Sequence, residues 1–433
     1  MQKYSFKGGV HPPENKVAAA LPIEKSVLPK QIIIHLGQHA GAPAVALVKV
    51  GDTVQTGQKI AEKGGFVSVP IHSSITGTVK AITRHTDTMG RLTKAIIIER
   101  LPDEVFATQK PIENPMLAPN NVLIDAIVEA GIIGLGGAAF PAHVKLSPPK
   151  DRVIDTLIIN GCECEPYLTA DERIMTEKTE ALIDGIKILK KILNVNKVLI
   201  GIEDNKMGTI EIVQHAADID HDIKVCVTKT RYPQGGERQL IEALTGRVVP
   251  PRPGLPMDVG VVVHNVTTCV AIYEAIYKGK PLYERVLTVA GGAVANPKNL
   301  LVRNGTQIKE LAELCGIRAT PAKIVMGGPM MGIAVSDMET PVGKSTSGVL
   351  FLSEKEAKRH EPSPCIKCGT CVQACPLYLN PSLLALSSKL NNRELYMKGR
   401  GKDCMECGCC AYGCPSRLPL VHHIRLGKVK FND

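Results

Sequence analysis

Apolar positions along the first hundred residues come in short runs, at Ile32–Ile34, Ala44–Val50, Thr53–Val54, Lys59–Ala61 and Gly77–Ile82, behind an extended lead-in over residues 1–20. Gly51-Asp52, Gly57, Gly64-Gly65 and Gly77 punctuate them, and short runs cut by such residues read as strands joined by tight turns. From residue 121 the period changes. Leu123, Ile127 and Ala130 recur at helical spacing, with Gly131 placed to close the helix. Strand-like Leu157–Ile159, Val198–Ile202 and Ile223–Val227 then alternate with helical patterns at Ala170–Leu193, Gly208–Ala217 and Glu237–Leu244. Short strands return at Arg285–Ala290 and Leu300–Val302, followed by a helical run Ile308–Cys315 and the Gly/Pro-rich stretch Met326–Gly332.

This order predicts a multidomain α/β chain. Residues 1–110 fit a lead-in and a barrel-sandwich module of the lipoyl-like type. A swinging arm would need a lysine at the hairpin tip Gly64–Ser68, which has none, so the module reads as scaffold. The alternation over 111–280 predicts a Rossmann-like parallel sheet covered by helices on both faces. Residues 281–350 fit a small β-grasp (SLBB-like) domain. Charged, proline-bearing Ser353–Pro364 reads as a linker within 351–433, which ends in a cysteine-dense, two-cluster ferredoxin-like domain.

Composition narrows the chemistry. The chain has 433 residues and a net charge of +10, but aromatics make up only 3% and tryptophan is absent. That composition disfavours the stacking platforms of single-stranded nucleic-acid binders, so no nucleic-acid partner is expected. The charge is a solvated basic surface, or steers anionic nucleotides and acidic redox partners. The most apolar segment, Val259–Tyr277, is interrupted by His264, Asn265 and Glu274, so no transmembrane span is expected. The N-terminus lacks the apolar core of a secretory signal, which implies a reducing, cytoplasmic setting. There, clustered cysteines bind metal or do redox work more often than they form disulfides, and this chain has 14.

Cys365, Cys368, Cys371 and Cys375 precede Pro376, and Cys404, Cys407, Cys410 and Cys414 precede Pro415, in the same C-x2-C-x2-C-x3-C-P arrangement. Three cysteines at that pitch wrap three irons of a cubane, while the fourth ligates the other cluster of a pair. Two [4Fe-4S] clusters follow, one on Cys365, Cys368, Cys371 and Cys414, the other on Cys404, Cys407, Cys410 and Cys375. Tetrahedral zinc is the weaker reading. Cys409 is out of register and is expected to be a neighbour, and Cys226, Cys269 and Cys315 to be packing residues.

Gly134-Leu-Gly136-Gly137-Ala-Ala139-Phe140-Pro141 contains a G-x-G-x-x-A match, but it follows a helix, so it is not the Rossmann fingerprint. Adjacent glycines still let backbone N–H groups approach a phosphate, with Lys145 near enough to add charge. The alternative is an interhelix turn. Asn160-Gly-Cys162-Glu163-Cys164-Glu165-Pro166 follows a strand, where open α/β sheets place ligands. Cys162 and Cys164 as a separate metal site is the weaker reading, because no companion ligand run accompanies them.

Taken together these residues resemble the RnfC family, a component of the Rnf complex, an ion-translocating ferredoxin:NAD oxidoreductase at the membrane, over nearly the whole chain. The resemblance is carried by Gly8-Gly9-Val10-His11-Pro12-Pro13, by Gly134–Pro141 with Lys145, by Asn160–Pro166 with Asp171, and by Tyr232-Pro-Gln-Gly235-Gly236-Glu237 with the cysteine runs. The middle segments are also similar to the flavin-carrying NADH subunit of complex I. The resemblance implies FMN held at its phosphate by Gly134, Gly136, Gly137 and Lys145 and contacted by Asn160. Phe140 is implied to line the nucleotide pocket, with Glu163, Glu165, Tyr232, Gly235, Gly236 and Glu237 helping to receive NADH, and Asn265 and Thr268 to complete the flavin site. Ala139 stands where a glycine is common, and Cys162 where the complex I protein has an acid.

A flavin converts between the hydride pair of NAD(H) and the single electrons that clusters accept. The implied protein is a peripheral subunit on the cytoplasmic face of the cell membrane, passing electrons between NAD(H), FMN, the clusters and the other Rnf subunits, both integral-membrane and ferredoxin-like. Two other readings share parts of this pattern: a microcompartment corrin (cobalamin) reductase of the same architecture, and a non-enzymatic two-cluster relay or scaffold.

Overall fold

The computed structural model describes residues 3–107, 109–358 and 360–431. Residues 1, 2, 108, 359, 432 and 433, which fall in the expected lead-in, first module, linker and tail, lie outside them.

The first module is two small antiparallel sheets packed face to face. One runs Gln31–His35, Leu92–Arg100, Gly77–Thr86, Thr53–Val54, and the other Val45–Ala46, Lys59–Glu62, Ile71–His72. Ile32, Ile34, Ile60, Ile96 and Ile98 fill the space between them. The run Ala44–Val50 narrows to Val45–Ala46, because its remaining apolar residues, Leu47 and Val50, face solvent.

A four-stranded parallel sheet forms the middle of the chain, in the order Ile223–Thr228, Val198–Glu203, Thr156–Gly161, Val261–Asn265. The chain first builds outward from Thr156–Gly161, then returns to place Val261–Asn265 on its other side. Strand order therefore reverses between Thr156–Gly161 and Val261–Asn265, and their carboxyl ends open a crevice where such sheets bind ligands. The apolar stretch Val259–Tyr277 splits into that last strand and the helix Val266–Lys278, whose first turn is capped by Asn265 accepting from the N–H of Thr267 at 2.9 Å.

The continuous amphipathic pattern at 170–193 is broken into helices Ala170–Glu177 and Thr179–Leu193. Thr179 Oγ1 donates to the carbonyl of Met175 at 2.6 Å and Thr176 Oγ1 to that of Glu172 at 2.9 Å. Such back-bonding bends helices while leaving the hydrophobic period intact.

The third sheet has six strands, in the order Ile23–Lys25, Lys298–Arg303, Glu284–Ala290, Gly348–Leu352, Lys323–Met326, Ile333–Val335. Its edge strand Ile23–Lys25 comes from the lead-in side of the chain and pairs in parallel with Asn299–Leu301, so the N-terminal segment is shared between modules. The tail is helical, with Pro381–Lys389, Arg393–Lys398 and Leu420–Lys430 around a buried Tyr396 that donates to the carbonyl of Ile424 at 2.7 Å. Among the described residues no helix is long and apolar enough to cross a membrane.

Candidate functional site

The glycine loop lies over the crevice at the strand-order reversal. It enters from the helix Asn120–Glu129 and leaves into the short helix Ala142–Lys145, as its sequence context implied. Its two ends are tied by Gly134 N–H to the carbonyl of Phe140 at 2.8 Å, and its flank by Leu135 N–H to Thr268 Oγ1 at 3.0 Å. Phe140 is half-buried at the loop's base. Gly136, Gly137 and Ala138 form an exposed crest whose N–H groups have no other acceptor among the described residues. A β-carbon on Gly136 would lie 2.7 Å from Nδ2 of Asn265, whereas Gly137 faces open space. This is a bare backbone donor surface, and it fits an anionic group such as a flavin phosphate.

Positive charge stands beside it. Lys145 Nζ donates to Glu237 Oε1 at 2.6 Å and to the carbonyl of Val263 at 3.1 Å. Glu237 opens the helix Glu237–Thr245 behind Gly236. Asn160, at the end of its strand, donates through Nδ2 to the carbonyl of Gly235 at 2.8 Å. Asn265 donates to Asp171 Oδ2 at 2.7 Å, and Thr267 Oγ1 donates to Asp171 Oδ1 at 2.6 Å. Gly134, Gly136, Gly137, Phe140, Lys145, Asn160, Gly235, Glu237, Asn265 and Thr268 thus surround one crevice. His264, one residue before Asn265, is buried, and burial with the neighbouring Lys145 charge pulls its pKa down to about 3. Its Nε2 has no partner among the described residues. Sequence reasoning used His264 only as an interruption of an apolar run, because a lone histidine there carries no spacing signal.

Three of the expected residues are engaged elsewhere. Glu163 accepts the N–H of Asp171 at 2.9 Å and so caps the helix Ala170–Glu177. Glu165 accepts the N–H groups of Met330 at 3.0 Å and Met331 at 2.9 Å, bolting the acidic turn to the third sheet's loop. Burial raises both carboxyls to about 7. Tyr232 is buried, and its hydroxyl donates to the carbonyl of Cys407 at 2.8 Å. Gly236 lies with Met405 of the cysteine tail 3.2 Å from where its β-carbon would be. This side of the acidic segment meets the cysteine domain.

The two runs fold alike. Lys367 and Gly369 in the first, and Glu406 and Gly408 in the second, all have positive φ, which turns each loop around its thiols. Cys375, Cys404, Cys407 and Cys410 line one cavity of ≈ 350 Å³, walled by Leu377, Leu379, Leu384, Val421 and Ile424. No three His, Cys, Asp or Glu side chains converge on a single ion among the described residues. Thiols spread around a cavity of this size fit a multi-iron cluster better than one tetrahedral metal. Cys371 and Cys414 pack against a separate small group with Leu418 and Leu420. Ser363 N–H donates to the carbonyl of Ser416 at 3.0 Å, bringing the start of the first run to the end of the second. Cys365 and Cys368 are exposed. Cys409 is buried in the wall of the second run's cavity with Sγ 3.9 Å from the carbonyl of Tyr232. Cys226, Cys269 and Cys315 are buried among apolar residues.

Comparison with known proteins covers most of the chain. Residues 127–274 match the Nuo51 FMN-binding domain, 4–103 the RnfC barrel sandwich hybrid domain, 286–334 the SLBB domain and 356–418 the 4Fe-4S dicluster domain. The RnfC-type subunit of the proton-translocating ferredoxin:NAD(+) oxidoreductase complex of Clostridium ljungdahlii is 44% identical over 92% of this chain and 86% of its own length. Its Na(+)-translocating counterpart of Acetobacterium woodii is 43% identical over 98% and 96%. Among solved structures, an NAD+-reducing [NiFe]-hydrogenase chain aligns at TM-score 0.51 and 18% identity, covering 74% of this chain and 65% of that one, a likeness of fold alone. The chain therefore belongs to the RnfC family of the ion-translocating ferredoxin:NAD(+) oxidoreductase complexes, the Rnf complexes.

Proposed function

We propose that this chain is the peripheral electron-entry subunit of such a complex, exchanging electrons between NAD(H) and membrane partners at the cytoplasmic face. Its modules are read as barrel-sandwich (1–110), FMN/NADH-binding α/β (111–280), β-grasp (281–350) and two-cluster ferredoxin-like (351–433). When bound, FMN supplies the exchange between a hydride pair and single electrons. The chain's own residues bind and orient it. The crest Gly136–Ala138 offers N–H groups to the phosphate, Lys145 neutralises it, and Asn160 and Asn265 fix the crevice at the strand ends. The mouth by Phe140 is left for the nicotinamide nucleotide.

The observation that carries the reading is the contact of Tyr232 with Cys407, which sets the buried cysteine cage against the flavin-side acidic segment. The exposed thiols Cys365 and Cys368 then face outward, toward a partner. Electrons run from crevice to buried cage to exposed cage, or in reverse when ferredoxin drives NAD reduction. Family membership favours this over the corrin reductase or a bare relay. The test is an anaerobic preparation assayed for FMN, iron and bleaching by NADH. One FMN, about eight irons and bleaching of both chromophores are expected. A preparation rich in iron but devoid of flavin would leave only the relay.

A further inference from the structure

The lead-in Gly8-Gly9-Val10-His11-Pro12-Pro13 belongs to no site described so far, yet it is built into the contact between the flavin-side segment and the cage. Tyr4 N–H donates to the carbonyl of Val227 at 2.9 Å, extending the parallel sheet by one bridge. The chain then crosses to the cysteine domain, where Gly9 N–H donates to the carbonyl of Ala374 at 2.9 Å. Val10 exchanges both backbone bonds with Tyr232, at 2.8 and 3.0 Å.

Both glycines are required by close approach. Gly8, at φ +86, would place a β-carbon 2.9 Å from the carbonyl oxygen of Cys375; Gly9, at φ +81, would place one 2.6 Å from that of Tyr232. The segment next turns over the acidic turn. Glu14 accepts the N–H of Tyr167 through its carbonyl at 2.8 Å, and Lys16 Nζ donates to the carbonyls of Glu163, Glu165 and Leu168 at 2.7, 2.9 and 2.5 Å. One short segment thereby fastens Cys375 of the cage, Tyr232 between cage and crevice, and the acidic turn beside the crevice.

We propose that residues 8–16 are a coupling strap, with Gly8, Gly9 and Lys16 as positioning residues that fix the separation between the flavin crevice and the buried cage and so set the rate of electron transfer between them. This rests on the reading above that the crevice holds FMN and the cage a cluster. Each transfer moves one electron from the flavin side to the cage, the pair having come from NADH, and no further reactant is needed. Tunnelling falls steeply with separation, so a small shift is felt in this step and not in hydride transfer or cluster assembly.

The test is the full chain carrying Gly9→Ala, with Lys16→Met as a second variant whose substitution does not touch the cage, and Lys7→Gln, exposed in the same segment, as control. In Gly9→Ala and Lys16→Met, FMN and iron contents and the rate of flavin bleaching by NADH should match wild type. Cluster bleaching should slow by about tenfold or more, in keeping with the cost of misplacing a reacting pair by about 1 Å. Hydrogen exchange at the amides of Val10 and Tyr232 should rise in Gly9→Ala. Wild-type cluster bleaching in both variants would overturn the strap, as would equal slowing of flavin and cluster bleaching. If Gly9→Ala loses iron, Lys16→Met decides. A wild-type protein without flavin would sink the underlying reading instead.

Discussion

The two cysteine runs share a spelling and a loop conformation, but they occupy opposite environments. Around the second, Cys407 and Cys410 are buried, the cavity wall is apolar, and Tyr232, Met330 and Val10 press on it from other modules. Its Glu406 is held by Arg425 and Lys428, each at 2.7 Å. In the first run, Cys365 and Cys368 stand in solvent, and Lys367 takes the place of Glu406. A repeat therefore dictates how each loop wraps its irons, while the neighbours decide which cluster is shielded and which can meet a partner. That difference gives an internally repeated domain a direction.

The sharpest way to break the comparison is to exchange the crossed ligands. Cys375→Ala should cost the shielded cluster and Cys414→Ala the exposed one, each taking iron from about eight toward about four per chain. Spectra in which each substitution damages the cluster of its own run would reverse the assignment. Cys409→Ser should leave iron unchanged, although its sulfur lies in the cavity wall.

Next in size is the flavin side, which should fail without disturbing either run. Gly136→Val drives a branched side chain against Asn265 and covers the donor crest, so flavin should be lost while iron stays. Lys145→Met removes charge-assisted bonding worth about 1.5–3 kcal/mol, which weakens flavin retention about ten- to a hundredfold. Lys145 is half-buried and bonded to Glu237 and Val263, so reversing its charge would add repulsion with Glu237; methionine is the cleaner probe. Flavin bound normally in both variants would remove the crevice from the path.

A smaller effect separates the clusters by access alone. A chelator or mild oxidant should bleach the first-run cluster well before the second, because only the first presents exposed thiols. Equal rates of loss, followed by iron release over time, would mean that the shielding of the second cage is not maintained in solution.

The cysteine ligands were legible because their spacing is dictated by the cluster they wrap, and Gly134–Pro141 with Lys145 because phosphate binding needs bare backbone beside a cation. What the sequence hid is contact between distant segments. Nothing at Glu163 or Glu165 signals that their carboxylates turn to backbone N–H groups of Asp171, Met330 and Met331 instead of the crevice. Tyr232 reads as a nucleotide-site residue until Cys407, 175 positions later, supplies its acceptor. The strand Ile23–Lys25 is short and half-polar, and only its partner Lys298–Arg303 makes it a strand. The helix break at Lys178 was hidden for a different reason, since threonine back-bonding leaves no mark on the hydrophobic period.

The smallest expected effect concerns pH, and it too should distinguish the runs. Glu165 joins the acidic turn to Met330 and Met331, and the carbonyl of Met330 would lie 3.2 Å from a β-carbon on Gly408 of the second run. Burial lifts the Glu165 carboxyl from 4.5 to about 7, against the pull of those two N–H groups. The folded protein thus holds this proton more tightly than the unfolded chain does. The stability it contributes is full below about pH 4.5, declines as pH rises through about 7, and is level above that, an effect of at most about 3 kcal/mol. Glu163, raised to about 7 as well, adds a slope of the same sign, so Glu165→Gln should reduce the dependence without abolishing it. His264, depressed to about 3, has the opposite sign, its contribution present above about pH 6.5 and lost as pH falls, and it cancels when mutant and wild type are compared. Unfolding midpoints measured at pH 5 and pH 8 in both proteins give the difference. Hydrogen exchange at Met330, Met331 and Gly408, but not at Gly369, should quicken between those pH values in wild type alone. If Glu165→Gln kept the full slope, the carboxyl would not be the group that ties the shielded run to the flavin side.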